Sequence, residues 1–217
     1  MLPSNQFEAP KSGIIILDCD EVLLSWDDGF RKFLMMSGRL ELDPGPQLGT
    51  SLEDWLFTSR KRALEWIGDF NDQPGTGFDR LLPVSGAVEG VMRLREAGYR
   101  LMVLTACSDL AATLERRHEN LVSIFGDVFE EVRGVPVAGS KLGELKRHGP
   151  SILIDDNVKN AEAARQAGHD PVIMRASHNS ERFSDYHAGY HGVDDWEDFL
   201  SRCAFLPQRS AALCLSA

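Results

Sequence analysis

Residues 13–24 read Gly-Ile-Ile-Ile-Leu-Asp-Cys-Asp-Glu-Val-Leu-Leu, an unbroken apolar run that ends in Asp18, Cys19, Asp20 and Glu21. A continuous run, rather than an alternating one, suits a strand covered on both faces, as in a parallel sheet. Ligands of such sheets bind beyond the carboxyl ends of the strands, so Asp18 and Asp20 stand where chemistry is expected. Cys19 lies between them and points to the opposite side of the strand, as a packing residue and not a nucleophile.

Similar runs recur at 101–104 (LMVL), 151–154 (SILI) and 171–174 (PVIM). Helical patterns lie between them. Residues 86–97 put Ala87, Val91 and Leu94 on one stripe, and Gly98 follows as a stop. Residues 157–167 are Ala-rich on one face and end at Gly168. Strands alternating with such helices predict an α/β fold with a doubly wound, mostly parallel sheet. The second run ends in Thr105 and Ala106, the third in Asp155, Asp156 and Asn157. Two pairs of aspartates and a hydroxyl therefore reach one sheet edge. Like charges that close repel unless a cation sits among them, and hard oxygen ligands select Mg²⁺.

The stretch 26–82 breaks the rhythm. It is helical in pattern, carries a capping signal at Ser51–Asp54, and has no buried-strand run. It is also aromatic-rich, with Trp26, Phe30, Phe33, Trp55, Phe57, Trp66, Phe70 and Phe78. We read it as a small helical insertion after the first strand, with 1–25 and 83–205 forming the α/β core and 206–217 a tail. The aromatic set reads as the core of that insertion, the alternative being that one or two members face the site as a stacking surface. Arg31, Lys32, Arg60, Lys61 and Arg62 read as a solvated helix face.

The chain has 217 residues, enough for a core without disulfides or structural metal, and its 43% hydrophobic and 26% charged residues exclude disordered, fibrous and membrane classes. A net charge of −10 argues against binding a nucleic-acid polymer but leaves room for a small anion in a local positive pocket. Cys19, Cys107, Cys203 and Cys214 form no CxxC pair and read as reduced thiols. No stretch has signal-peptide or membrane-helix character, so the expected location is cytoplasmic, away from membranes.

The run ending in Asp18-x-Asp20, the run ending in Thr105, then Lys141, then the run ending in Asp155-Asp156 resemble the four ordered motifs of the haloacid-dehalogenase-like superfamily of aspartate-nucleophile phosphatases. The resemblance spans 13–174. It implies a phosphatase in which Asp18 is the nucleophile that becomes an aspartyl-phosphate and Asp20 the general acid, then base. It implies further that Thr105 and the backbone N–H groups after it, Ala106 first, hold the phosphoryl oxygens. Lys141 would neutralise the transferring group. Mg²⁺ would be bound by Asp18, the carbonyl of Asp20 and the acidic pair. Alignment with members carrying a single aspartate at the last motif favours Asp156 over Asp155 for direct contact, while Asn157 and Asn160 orient the pair. Asp20 speaks against the dehalogenating branch, which lacks it. Glu21 stands where Gly is commoner. The 14 positions between Lys141 and Asp155, and the place of the insertion as a cap, are similar to the deoxyribonucleotidases.

The expected function is therefore hydrolysis of a small phosphorylated metabolite, with a lean toward a nucleoside monophosphate. A phosphomutase of the same superfamily and a non-catalytic protein that kept the fold are the alternatives. Lys146, Arg147 and Lys159 compete with Lys141 for its role. His187 and His191, four apart, sit in a Gly- and Ser-rich stretch that reads as a surface loop rather than a zinc site.

Overall fold

The first strand, β1 (Ile14–Leu17), lies near the middle of a six-stranded sheet whose strands all run parallel. The computed structural model describes residues 6–49, 51–186 and 189–207. After β1 come α1 (Trp26–Met36), α2 (Leu52–Leu56), α3 (Arg60–Asp72), a 3-10 turn at Phe78–Arg80 and α4 (Ala87–Glu96). The chain continues through β2 (Arg100–Thr105), α5 (Ala111–Phe125), β3 (Phe129–Gly134), α6 (Leu142–Leu145) and β4 (Ile152–Asp155). It closes with α7 (Val158–Gln166), β5 (Asp170–Met174), a 3-10 turn at Ser177–Arg182, α8 (Phe183–Tyr186), β6 (His191–Val193) and α9 (Trp196–Arg202).

The strand order is β3-β2-β1-β4-β5-β6. The chain winds outward from β1 to β3, then crosses back to start β4 on the other side of β1. That reversal leaves a crevice at the carboxyl ends of β1 and β4, the place where ligands of such sheets bind. Side chains alternate as the pleat requires. Ile15, Leu17, Leu101, Val103, Ile152 and Ile154 pack with α4, α5 and α9, whereas Ile16, Met102, Leu104 and Leu153 pack with α6 and α7. The same alternation buries Cys19 in the first cluster, on the side away from Asp18. Cys19, Cys107 and Cys203 are free thiols. Cys214 and the tail beyond 207 lie outside the described residues.

All four apolar runs are strands, and the predicted glycine stops are real: Gly98 and Gly168 have φ of 88° and 86°, the left-handed conformation that glycine adopts without a Cβ clash. Two strands escape the sequence reading. In β3 (FEEVRG) charged residues interrupt the apolar ones, as suits an edge strand half open to water. The stretch read as a loop around His191 instead holds a 3-10 turn, α8 and the edge strand β6. His191 begins β6, packs edge-on against Phe7 at 5.4 Å, and faces no metal cluster among the described residues; His187 lies outside them. No helix among the described residues is long and apolar enough to cross a membrane.

Between β1 and α4 the chain is helical, with Ser51 capping α2 by accepting from the Asp54 N–H at 3.2 Å. Its entry and exit run side by side: Ser25 N–H donates to the Leu82 carbonyl and Val84 N–H to the Leu23 carbonyl, each at 2.9 Å. Phe30 and Phe70 sit among Trp26, Phe33, Trp55 and Phe78 at centroid distances of 4.6–6.4 Å. Phe57 is the exception, exposed beyond α2. Lys32, Arg60, Lys61 and Arg62 are exposed as expected of a solvated face, but Arg31 is partly buried and held by Asp27, Asp28 and Asp43.

Helix α9 closes the sheet from behind the site. Trp196 is fully buried, donates its indole N–H to the Val22 carbonyl at 2.8 Å, and lays its ring on Gly90 of α4. A Cβ on Gly90 would stand 2.1 Å from that ring, so only glycine permits this approach. We expect Gly90→Ala to lower unfolding stability by about 1–3 kcal/mol despite alanine's better helix propensity, because the ring is too rigid to yield. Denaturant unfolding checks this, and a variant as stable as the parent would show that the helices can separate at no cost.

Candidate active site

Residue 17 of β1 pairs with Ile154 of β4 and with Val103 of β2, so the next residues of the three strands converge. Asp18 N–H donates to the Ile154 carbonyl at 2.8 Å, which sets Asp18 beside Asp155. Into the gap comes Lys141, at the start of α6. Its Nζ lies 2.8 Å from Asp18 Oδ1 and 2.8 Å from Asp155 Oδ2, with the side chain wholly buried. Burial works against the ammonium, but Asp155 and Asp18 outweigh it and raise its pKa above the usual value. The competing cations Lys146, Arg147 and Lys159 are all exposed.

The two oxygens of Asp155 are taken up within the protein, Oδ2 by Lys141 and Oδ1 by the Asn157 N–H at 2.9 Å and Asn160 Nδ2 at 3.0 Å. The Asn157 side chain does not reach the acids; it caps α7 through the Lys159 N–H at 3.0 Å. Asp156 presents its carboxylate to the cleft, where His178 Nε2 stands 3.8 Å away. Its backbone is fixed by buried Asn179, whose Nδ2 donates to the Asp156 and Met174 carbonyls at 2.8 and 2.9 Å. Asp18, Asp155 and Asp156 each offer an oxygen within 4.8 Å of the others, a set that fits one hard divalent cation. Burial, then the charges of its neighbours led by Asp155, raise the Asp18 pKa from 3.8 to about 7 despite Lys141. Asp156 is pushed well up by burial and by Asp18 and Asp155.

Asp20 lies apart from this group. Its Oδ1 accepts from Arg117 Nη2 at 2.7 Å, and a quarter of its side chain is exposed to the cleft (25%). Burial raises its pKa, and Arg117 and Lys141 act in the opposite sense. Glu21 has φ of 58°, in the left-handed region where glycine is the easier residue. The turn is held by Leu23 and Leu24 N–H groups on the Cys19 carbonyl, both at 2.9 Å, and Glu21 Oε1 accepts from the Asp27 N–H at 2.8 Å. The glutamate is therefore accommodated by strapping the turn to the start of α1.

Thr105 ends β2 fully buried, and among the described residues its hydroxyl has no N or O partner, lying instead by the Cys107 thiol. An unpaired buried hydroxyl at a strand end is costly unless a ligand completes it. Ala106 lines the same cleft, of about 260 Å³, with Trp26, Gln47, Ile67, Asn71, Val137 and Ser177. Asn71 of α3 ties the helical segment to this loop: its Nδ2 donates to the Cys107 carbonyl and its Oδ1 accepts from the Trp26 indole, both at 2.9 Å.

Asp18, Asp20, Thr105, Ala106, Lys141, Asp155 and Asp156 thus lie together at one sheet edge. Sequence reasoning missed Arg117, Asn71, His178 and Asn179. Arg117 follows Arg116 on a helix rich in charge, so it reads as solvated; the signal available was the spacing of Thr113, Arg117 and Asn120, which puts three polar residues on one face.

No protein-family model and no curated protein matches this sequence. Solved structures do. A haloacid dehalogenase-like family hydrolase from Streptococcus pneumoniae has a TM-score of 0.62 at 15% identity, covering 87% of this chain and 96% of that one. A HAD family hydrolase from Deinococcus radiodurans R1, with bound phosphate and sodium, has a TM-score of 0.56 at 16% identity over 91% and 98% of the two chains. The D,D-heptose 1,7-bisphosphate phosphatase from B. bronchiseptica, complexed with magnesium and phosphate, has a TM-score of 0.52 at 15% identity over 87% and 98%. Over most of its length, the chain has the α/β fold of the haloacid-dehalogenase-like hydrolases.

Proposed function

We propose that the protein is a Mg²⁺-dependent phosphomonoester hydrolase acting through an aspartyl-phosphate on Asp18. The observation that carries this reading is a charge balance. Four carboxylates, Asp18, Asp20, Asp155 and Asp156, face two buried cations, Lys141 and Arg117, so one divalent cation would bring the ionised cluster to neutrality. The magnesium and phosphate bound by one structural neighbour, and the phosphate and sodium bound by another, support the same chemistry here.

Asp18, Asp156 and Asp155 would hold the ion with the Asp20 carbonyl, Asp156 being the carboxylate that the protein leaves to the cleft. Bound there, Mg²⁺ supplies Lewis-acid neutralisation of the phosphoryl oxygens. The Cys19 N–H, at 2.6 Å, and Lys141 both hold Asp18 Oδ1, which fixes the carboxylate for attack on phosphorus. As the Asp18–phosphorus bond forms, the bond to the substrate oxygen breaks, and Asp20 gives that oxygen its proton. Asp20 then takes a proton from the water that cleaves the aspartyl-phosphate, releasing phosphate and restoring Asp18. Lys141 offsets charge during transfer, and the unpaired Thr105 hydroxyl and the Ala106 backbone receive phosphoryl oxygens.

The helical segment 26–82 serves as a cap whose Trp26, Gln47, Ile67 and Asn71 choose the leaving group. No lysine or arginine lines the cleft among the described residues, while Glu21 and Asp27 do. Such a lining favours a monophosphate whose remainder is uncharged, and a nucleoside monophosphate answers that description, with its base against Trp26 and its polar edges on the amides.

Phosphate release from a panel of nucleoside monophosphates, sugar phosphates, phosphoacids and bisphosphates tests the proposal. Release should require Mg²⁺ and fall to background in Asp18→Asn, while Asp20→Asn should lower kcat by about 10²–10⁴. Full activity in Asp18→Asn would remove the nucleophile assignment. Preference for a bisphosphate would remove the substrate class.

A second expectation concerns pH. Because Asp18 titrates at about 7 in the fold and its ordinary value is 3.8, the folded state binds a proton that the unfolded chain does not between those values. Without metal, Asp18's contribution is therefore fully present below about pH 4 and is lost as pH rises toward 7. Mg²⁺ needs the ionised carboxylate, so its stabilising effect should grow across that window. The Tm difference between Mg²⁺ and chelator should be larger at pH 8 than at pH 5.5; an equal difference would place the ion elsewhere.

A further inference from the structure

The guanidinium of Arg117 is the least expected group near the cleft. It comes from the middle of α5, 97 positions from Asp20, and is fully buried. Only Nη2 is spent on Asp20; among the described residues Nε and Nη1 have no N or O acceptor, and the neighbouring acceptor is the Cys107 thiol. A buried cation with unmet donors is expensive, and an apolar side chain of similar size would pack there at less cost. Stability alone does not account for it.

The surroundings of Arg117 are directional. Its guanidinium lies 3.9 Å over the ring centroid of Phe78, in the 3-10 turn through which the helical segment returns to the core. One helix turn to either side on the same face, and from the adjacent Arg116, α5 grips that segment. Thr113 Oγ1 donates to Asp72 at 2.7 Å, Arg116 donates to the Asn71 carbonyl at 2.8 Å, and Asn120 bonds both the N–H and the carbonyl of Leu81 at 3.1 Å. Arg117 is the member of this row that reaches past the segment to the carboxylate of Asp20.

We propose that Arg117 is a positioning residue for the proton-transfer step: clamped between Phe78 and Asp20, it sets the direction in which the Asp20 carboxyl faces the leaving oxygen. The inference rests on the phosphatase reading and assigns Arg117 no contact with substrate. Its signature is dependence on the leaving group. A nucleoside 5′-monophosphate leaves as a basic alkoxide that needs a proton, whereas p-nitrophenyl phosphate leaves as a stable phenolate that does not. The value of kcat/KM reports steps through phosphorylation of Asp18, so water activation by Asp20 does not enter it.

The experiment measures the ratio of kcat/KM for the nucleotide to that for p-nitrophenyl phosphate in the full-length parent and in Asp20→Asn, Arg117→Met and Arg117→Lys. Asp20→Asn should lower the ratio by about 10²-fold or more, Arg117→Met by about 10-fold or more, and Arg117→Lys by less, since the ammonium can partly replace the charge. Should Arg117→Met fail to fold, Arg117→Lys and Phe78→Leu, which removes the aromatic face, carry the same test. A lowered ratio in Asp20→Asn with an unchanged ratio in the Arg117 and Phe78 variants overturns this inference and leaves the hydrolase intact. An unchanged ratio in Asp20→Asn overturns this inference together with the general-acid role of Asp20, and no release by the parent overturns the hydrolase itself.

Discussion

The site depends on one ammonium group. The parallel pairing of β1 with β4 forces Asp18 and Asp155 to emerge side by side at the strand reversal, and both are nearly or wholly buried. Two buried carboxylates at that spacing are unfavourable by several kcal/mol without a counter-charge. Lys141, shared between them, is what makes the strand pairing and the acidic edge compatible. It also dictates the crossover from β3. Val135 N–H bonds the Thr105 carbonyl at 2.9 Å, Gly139 N–H closes a turn on the Pro136 carbonyl at 2.7 Å, and the chain then enters α6 with Lys141 directed inward. The short distance in sequence from Lys141 to Asp155 follows, since one small helix is all that separates the cation from the strand it serves.

A second constraint joins the helical segment to the core. Segments inserted after a strand hinge freely when only their two connections hold them. Here the two connections are paired as extended chain, and α5 adds a row of hydrogen bonds to Asn71, Asp72 and Leu81. The aromatic cluster continues without a break into the sheet's own apolar layer, because Phe30, Phe70 and Phe78 belong to the same buried body as Leu17 and Val103. The segment and the carboxylates are therefore mechanically linked through buried groups, Asn71 on the Cys107 loop and Phe78 on Arg117.

Much of this was legible in the sequence, for identifiable reasons. Central strands buried on both faces leave continuous apolar runs, and a doubly wound sheet brings their ends together, so Asp18, Thr105, Asp155 and Asp156 were placed by pattern alone. Edge strands carry no such mark: Glu130, Glu131 and Arg133 dilute β3, and β6 has three residues in a polar stretch. Arg117 was illegible because an arginine's default is water, and only the tertiary approach of Asp20 and Phe78 reverses it. Asn71 and Asn179 act through side-chain hydrogen bonds to backbone and indole groups distant in sequence, which no periodicity encodes. Glu21 was visible as a departure from glycine, but the Asp27 N–H that straps its turn could be seen only in three dimensions.

The overall charge of −10 and the proposed binding of a small anion are compatible because they act over different distances. Charges spread over the surface are screened within about 8–10 Å at physiological ionic strength. Lys141 and Arg117 are sealed from solvent, so salt screens their fields within the crevice far less than it screens surface charges. The acidic surface resists polyanions at long range, while two buried cations offset half of the carboxylate charge of the crevice from beneath. The cleft wall nearer the mouth, with Glu21, Asp27 and no lysine or arginine among its described residues, extends that discrimination to small molecules. In the proposed hydrolase, a single phosphoryl group that reaches the floor would meet Lys141 and the bound Mg²⁺, and a second anionic group at the mouth would meet Glu21 and Asp27. The proposed selectivity for monoesters with an uncharged remainder thus rests on the depth at which the cations are buried and on the acidic mouth, before any specific contact to the leaving group.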